Sequence, residues 1–148
     1  MFRVLPVLAA LSAAPLLAGC AVLPFGAFLS PTDCMTRVMY FESNRSSAEG
    51  MLAVGTVVMN RLNDPKFPHS VCGVVGQSNQ FAPGVMWLPM HEGRGLALAH
   101  DMATRVLGGE RHPGVGGAEF FHTAGYTFPY DNMHYVLVAG GNAFYWKS

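Results

Sequence analysis

At 148 residues the chain has room for one domain, of about 129 residues once a targeting segment is removed, enough for a single sizeable core. Hydrophobic residues make up 51% of it and charged residues 12%, which is apolar for a soluble domain. Nine basic residues balance nine acidic ones, so there is no basic face to suit nucleic acid and no acidic run to signal disorder.

The chain opens with Met1-Phe2-Arg3, a short positive start, followed by an apolar run from Val4 to Leu17 and by Leu17-Ala18-Gly19-Cys20. This is the layout of a secretory signal peptide closed by small residues, and the last four residues resemble the lipobox of bacterial lipoproteins. The resemblance implies that residues 1–19 are removed and that Cys20 is lipidated, a stable anchor when several acyl chains are present. An uncleaved transmembrane helix is the alternative, because nothing from Val4 to Thr32 is charged. Pro6, Pro15, Gly19, Pro24 and Gly26 make one continuous helix there awkward. Residues 20–30 then read as the lipidated cysteine and a short tether, and residues 31–148 as the folded domain. Ala21 after the lipidated cysteine, where aspartate is the retention signal, favours the outer membrane facing the periplasm in a Gram-negative cell. With Cys20 lipidated, Cys34 and Cys72 remain as an even pair and are expected to bond. Two buried free thiols are the alternative.

Ser30-Pro31-Thr32-Asp33 carries helix-start chemistry: a capping hydroxyl, proline in the first turn and a carboxylate three residues after the cap. A helix is predicted over 31–43. Its apolar stripe runs Met35, Val38 and Met39, and the next position on that stripe is Glu42. A carboxylate thus stands where periodicity asks for a core residue, beside Tyr40 and Phe41, and burial should raise its pKa. Ser46-Ser47-Ala48-Glu49 predicts a second helix with Ser46 as cap and Glu49 as the reciprocal half of a capping box, running to Leu62 with Val54, Val57, Val58 and Leu62 inward. Residues 67–84 read as loop with a short turn through Val71, Val74 and Val75, and a third helix is predicted over 95–107. From Ala118 the pattern changes to short aromatic and β-branched runs at 119–123, 134–138 and 142–146, separated by glycine and proline, which read as a small antiparallel sheet.

Cys34 to Glu42 with its Tyr40-Phe41-Glu42 ending, Glu49-Gly50, Ala53-Val54 and Val58-Met59-Asn60-Arg61 resemble the opening block of the SleB-type cell wall hydrolases, the spore cortex-lytic enzymes related to lytic transglycosylases. The likeness continues through Phe67-Pro68, Val71 to Val75, Gln80-Phe81, Ala118 to His122, Pro129 and Gly141 to Tyr145, and so spans residues 34–145. It implies an α+β, mainly helical fold of lysozyme-like shape with a small antiparallel sheet beside a cleft. It also implies cleavage of peptidoglycan glycan strands after N-acetylmuramic acid, with Glu42 as the catalytic residue and no cofactor or metal. Two departures bear on substrate contacts: Ser43-Asn44-Arg45-Ser46 follows the glutamate where a small residue, arginine and glycine are usual, and Ala82-Pro83 follows Gln80-Phe81 where a serine and an aromatic are usual.

Glycosidic cleavage needs an acid that still holds its proton near neutral pH, and an apolar setting provides one. Hydrolases of the ordinary kind need a second carboxylate at a set distance. Glu49 is the obvious candidate, but its helix-start position accounts for it structurally, and a solvated turn accounts for Asp131. The missing partner favours a lytic transglycosylase, in which the muramic acid's own 6-hydroxyl attacks. A hydrolytic muramidase and a non-catalytic peptidoglycan-binding lipoprotein are the alternatives. Glu49, Gln80 and His122 are candidate polar contacts to the glycan, and Tyr40 and Tyr145, with Phe81 and Tyr126, are candidate sugar-facing rings, although as a set core packing explains them better. His91-Glu92 prompts a zinc peptidase reading, which fails because position 95 is glycine rather than the second histidine.

Overall fold

The computed structural model describes residues 29–148. The signal segment, Cys20 and most of the tether lie outside the described residues. Among those described, four helices precede a three-stranded sheet, the mainly helical α+β arrangement that the sequence predicted.

Helix α1, Pro31–Glu42, begins as its sequence dictates: Asp33 N–H donates to Ser30 Oγ at 3.1 Å and Ser30 N–H donates back to the Asp33 carboxylate at 2.9 Å. Helix α2, Ala48–Asn63, starts one residue later than expected. Ser47, not Ser46, is its cap, accepting from Gly50 N–H at 2.9 Å. Ser46 instead turns its hydroxyl to the Asn44 carbonyl, so Glu49 is not half of a capping box. Asn44 and Arg45 both adopt positive φ, 52° and 58°, so the linker folds tightly and delays the helix by one position. The predicted turn is α3, Val71–Val75, capped by Ser70, and the third predicted helix is α4, Arg94–Leu107.

Helix α1 packs against both α2 and α4. Met35, Val38 and Met39 of α1, Val54, Val57 and Val58 of α2, and Met102 and Val106 of α4 are fully or almost fully shielded from water, and with their neighbours they form one continuous core. Strands β1 (Phe120–Thr123), β2 (Met133–Ala139) and β3 (Asn142–Lys147) pair antiparallel in the order β1-β3-β2, with Phe121 opposite Phe144 and a register shift between Tyr135 and Leu137. Phe144 is fully buried and stacks its ring near Phe121, which reaches Phe81 in the loop after α3. The sheet is seated on α2 by a close backbone approach. A Cβ placed on Gly50 would stand 2.5 Å from the Cα of Gly140, whose own φ is +56°, so neither position accepts a side chain.

Cys34 and Cys72 are bonded, tying α1 to α3 across a sequence separation of 38. Closing a loop of that length removes unfolded-chain entropy worth roughly 4 kcal/mol, a large share of the 5–15 kcal/mol typical of a domain, as an order of magnitude. A Cys34→Ser, Cys72→Ser double variant should therefore melt well below the parent, and the parent should fall to the same transition once reduced. Equal melting temperatures for reduced and oxidised parent would contradict this role.

Candidate active site

Glu42 is the last residue of α1, held there by one contact of its neighbour and two from distant parts of the chain. The next residue, Ser43, is fully buried and donates its hydroxyl to the Met39 carbonyl at 2.6 Å, closing the helix. Asn142, at the start of β3, donates its side-chain amide to the Glu42 carbonyl at 2.6 Å. The backbone N–H of Ala82 donates to Glu42 Oε1 at 2.5 Å. The helix end, the start of the central strand β3 and the loop after α3 therefore meet at one residue, and of these the loop bonds its carboxylate.

Two effects act on its proton. Burial disfavours the charged form and raises the pKa, while the Ala82 amide, which hydrogen-bonds the carboxylate, lowers it; burial is the larger and the net direction is upward. Among the described residues no neighbouring charge contributes. The group is thus a carboxylic acid set to keep its proton longer than an ordinary glutamate and presented at the edge of the core.

The remaining candidates separate. Tyr40 is 3% exposed, its hydroxyl accepting from His91 N–H at 3.2 Å and its ring covered by the Arg45 guanidinium at 4.6 Å. It props a loop and has no open face for a sugar. Glu49 is exposed, with its carboxylate 3.4 Å from His112 Nε2. Gln80 is exposed in the same loop as Ala82, its N–H donating to the Gln77 carbonyl at 3.4 Å. His122 and Tyr145 come together, ring centroids 5.7 Å apart, on the wall of a cavity of about 100 Å³ shared with Phe128 and Tyr130. His122 Nδ1 donates to the Thr123 carbonyl at 2.8 Å, and Nε2 lies 2.7 Å from the Tyr135 hydroxyl. Tyr126 is exposed and Phe81 buried.

Three residues important to this arrangement carried no obvious signal. Ala82 acts through its backbone, which side-chain chemistry cannot reveal. Asn142 read as the first residue of a strand, which gave no sign that its side chain reaches the end of α1. Arg61 is 3% exposed, with its guanidinium 5.1 Å from the ring centres of both Phe67 and Phe81 and 5.5 Å from that of Phe120. Its Nε donates to the Glu119 carbonyl at 2.7 Å, and desolvation lowers its pKa to about 10. Beside it Asn60 donates to the carbonyls of Gly116 and Ala118 at 2.9 and 2.8 Å. The Asn60-Arg61 pair therefore holds the approach to β1, while Arg61 backs the Phe81 ring one residue from the amide that binds Glu42.

The family described as Cell Wall Hydrolase matches residues 45–145. The chain belongs to the cell wall hydrolase family. Curated relatives include the spore cortex-lytic enzymes of Oceanobacillus iheyensis, 35% identical over 68 residues covering 44% of this chain, and of Bacillus subtilis, 32% identical over 75 residues covering 49% of it. The matched stretch is about a quarter of the length of each relative, 25% in both cases. Among solved structures, the catalytic domain of the germination-specific lytic transglycosylase SleB from Bacillus anthracis superposes with a TM-score of 0.63 at 24% identity, covering 83% of this chain and 99% of that one. The catalytic domain of the Bacillus cereus SleB protein superposes with a TM-score of 0.62, also at 24% identity, over 86% of this chain and 98% of that one. The SleB-type family and fold expected from the sequence are both found. The family match begins beyond Glu42.

Because the folded-state pKa of Glu42 lies above its unfolded value, the folded protein binds this proton more tightly. The associated stability is present below the ordinary carboxylate range and is lost as pH rises through the raised value. A Glu42→Gln variant has no such loss. Its melting temperature, relative to the parent, should climb by a few degrees between acidic and neutral pH, and a difference that stays flat across that range would contradict a buried acid.

Proposed function

We propose that this cell wall hydrolase is a peptidoglycan glycosidase that cuts the glycan backbone after N-acetylmuramic acid, acting as a lytic transglycosylase with Glu42 as its acid and base. The observation that carries the reading is a partly buried carboxyl group at a helix end, its pKa raised by burial and its orientation set by the Ala82 amide.

Protonated Glu42 gives its proton to the glycosidic oxygen as the bond to the anomeric carbon breaks and positive charge develops on the sugar. The 6-hydroxyl of the same muramic acid residue then attacks that carbon, and its proton passes to the Glu42 carboxylate. An anhydro sugar forms and the acid is restored, so protons and bonds balance without water or a second protein carboxylate. The upward shift supports this economy. A nucleophilic partner at the roughly 5–5.5 Å of a retaining hydrolase would add like-charge repulsion, whereas burial alone raises Glu42 among the described residues. Gln80, His122 and Tyr145 are proposed glycan contacts, the last two as a wall of the small aromatic cavity beside the sheet.

Digestion of purified sacculi with the full chain tests the reaction. Muropeptides ending in anhydro-muramic acid are expected, and Glu42→Gln should slow their release by at least about 10²-fold, the usual contribution of a positioned acid. New reducing ends would indicate hydrolysis, free stem peptides would indicate an amidase or peptidase, and undiminished release by the variant would remove Glu42 from the mechanism.

We further propose that the catalytic domain, residues 31–148, is exported and held in the cell envelope by lipid on Cys20, with the tether of residues 20–30 between them and the outer membrane as the site. The Leu17-Ala18-Gly19-Cys20 sequence supports this. The intact mass of the cell-extracted chain should equal residues 20–148 plus acyl groups, and Cys20→Ser should abolish the addition; an unprocessed, unacylated chain would rule the anchor out.

A further inference from the structure

A small cavity lies where the β1–β2 connection reaches back to the sheet. Phe128 sets its ring edge-on to His122 with centres 4.7 Å apart, and Tyr130 stacks on Phe128 at 6.3 Å. With Met133, Tyr145 and Lys147 they enclose about 100 Å³. A water molecule's share of the liquid is about 30 Å³, and pockets that enclose whole drug-sized ligands run to roughly 300–1,000 Å³. The cavity is therefore sized for a side group of a few heavy atoms, not for a sugar ring.

Its charge is one-sided. Among the described residues no carboxylate lines it, and Lys147 brings one ammonium group. That ammonium stands 4.8 Å from the centre of the Phe120 ring and 6.0 Å from that of Tyr145. Aromatic faces attract and orient a cation without neutralising it, and no ion pair among the described residues includes Lys147. An anion at the cavity would thus meet a positioned and uncompensated charge, beside rings that suit a methyl group. The strand that carries this cation starts at the acid. Asn142, whose amide holds the Glu42 carbonyl, precedes Tyr145 by three residues on β3, about 10 Å along an extended strand. The ligand defined by these features is a small apolar group ending in a carboxylate, carried a short way along a chain that is cut at Glu42.

Muramic acid differs from glucosamine by a 3-O-lactyl substituent, one carbon bearing a methyl and a carboxyl group. We propose, resting on the glycan-cleaving reading of Glu42, that the cavity receives the lactyl group of a muramic acid residue that carries no stem peptide. The methyl lies against Phe128 and Tyr145, and the free carboxylate accepts from the Lys147 ammonium. With a peptide attached, the same carboxyl is a neutral amide and the charge-assisted bond is lost. Peptide-free strands are then the preferred substrate, and hydrolysis of the amide between lactyl group and stem peptide is the class of reaction that supplies them.

The test titrates tetrasaccharides of alternating N-acetylglucosamine and N-acetylmuramic acid into the full chain, in a Glu42→Gln background so that none is cut. Their lactyl groups are free acids, methylamides, or amide-linked to L-alanyl-D-glutamate. The free acid should bind about tenfold more tightly than the methylamide, the scale of one hydrogen bond to a charged group, and added salt should shrink that advantage. Lys147→Gln should bring the two to parity. Lys147→Arg should retain the preference, so that charge and not mere packing at this position is what the comparison reads. Equal binding of free acid and methylamide in the Lys147 chain, or a preference that survives Lys147→Gln, would overturn the site. Tightest binding by the peptide-bearing oligomer would overturn it too, by assigning the ammonium to a carboxylate of the stem. Sacculus digestion separates the two ideas: a free-acid preference without digestion sinks the catalytic reading alone, and digestion without that preference sinks the lactyl site alone.

Discussion

The structure turns on how a carboxyl group can be kept at the end of a helix whose stripe is otherwise apolar. A helix C-terminus is a poor place for an acid, because the unpaired carbonyls and the macrodipole already make it negative. Both problems are met by neighbours. Ser43 and Asn142 take up the Met39 and Glu42 carbonyls, and the Ala82 N–H supplies one bond to the side chain. One amide is enough to orient the carboxyl group and too little to outweigh burial, so the proton is held rather than surrendered. Two or three such donors would have had the opposite effect.

Each of those neighbours needs its own support, and tracing it explains much of the fold. Asn142 can reach Glu42 because β3 starts immediately after the Gly140-Gly141 turn, and that turn reaches its place because Gly50 lets the backbones of α2 and the sheet approach to van der Waals contact. Ala82 is held from two sides. Arg37 fixes the turn that follows it, and Arg61 lies against the Phe81 ring that precedes it. Arg61 is buried with its Nη1 unpartnered among the described residues, an expensive arrangement. Three aromatic faces and one carbonyl offset part of that cost. The disulfide joins α1 to α3 directly before this loop, so the acid and the amide that orients it stand on elements linked by a covalent bond.

What the sequence disclosed follows the range of the forces involved. The α1 cap, its stripe and the position of Glu42 depend on residues within two turns of one another, and periodicity read them correctly. The sheet showed itself through alternation and turn residues, although its order, with β3 in the middle, did not. The start of α2 was misjudged by one residue because Ser46 and Ser47 are chemically equal as caps; the choice was made by Asn44 and Arg45 entering the left-handed region, a conformation glycine would have advertised and these residues do not. The contacts from Ala82 and Asn142 span 40 and 100 residues. No local pattern encodes such a distance, and each pairs a side chain with a backbone atom common to nearly every residue. Tyr40 was open to two readings, sugar-facing ring or core, with core the better explanation, and its burial agrees with the core.

The strained linker after Glu42 fits the same logic. Two consecutive non-glycine residues at positive φ cost of order 1–3 kcal/mol each and persist only where surrounding structure over-determines them. Here the surroundings are close on both sides: a Cβ at Gly141 would stand 2.9 Å from the Asn44 side chain, and one at Gly95 would stand 2.9 Å from the Arg45 carbonyl oxygen. The sheet turn and the start of α4 thus clamp the linker, and Arg45 lays its guanidinium over Tyr40 rather than over the carboxyl group. That placement matters for the proton. A cation directed at Glu42 would lower its pKa and undo what burial achieves, whereas a cation spent on an aromatic face leaves the acid in neutral surroundings. The linker after the glutamate is therefore clamped in a strained backbone while the carboxyl group keeps neutral surroundings.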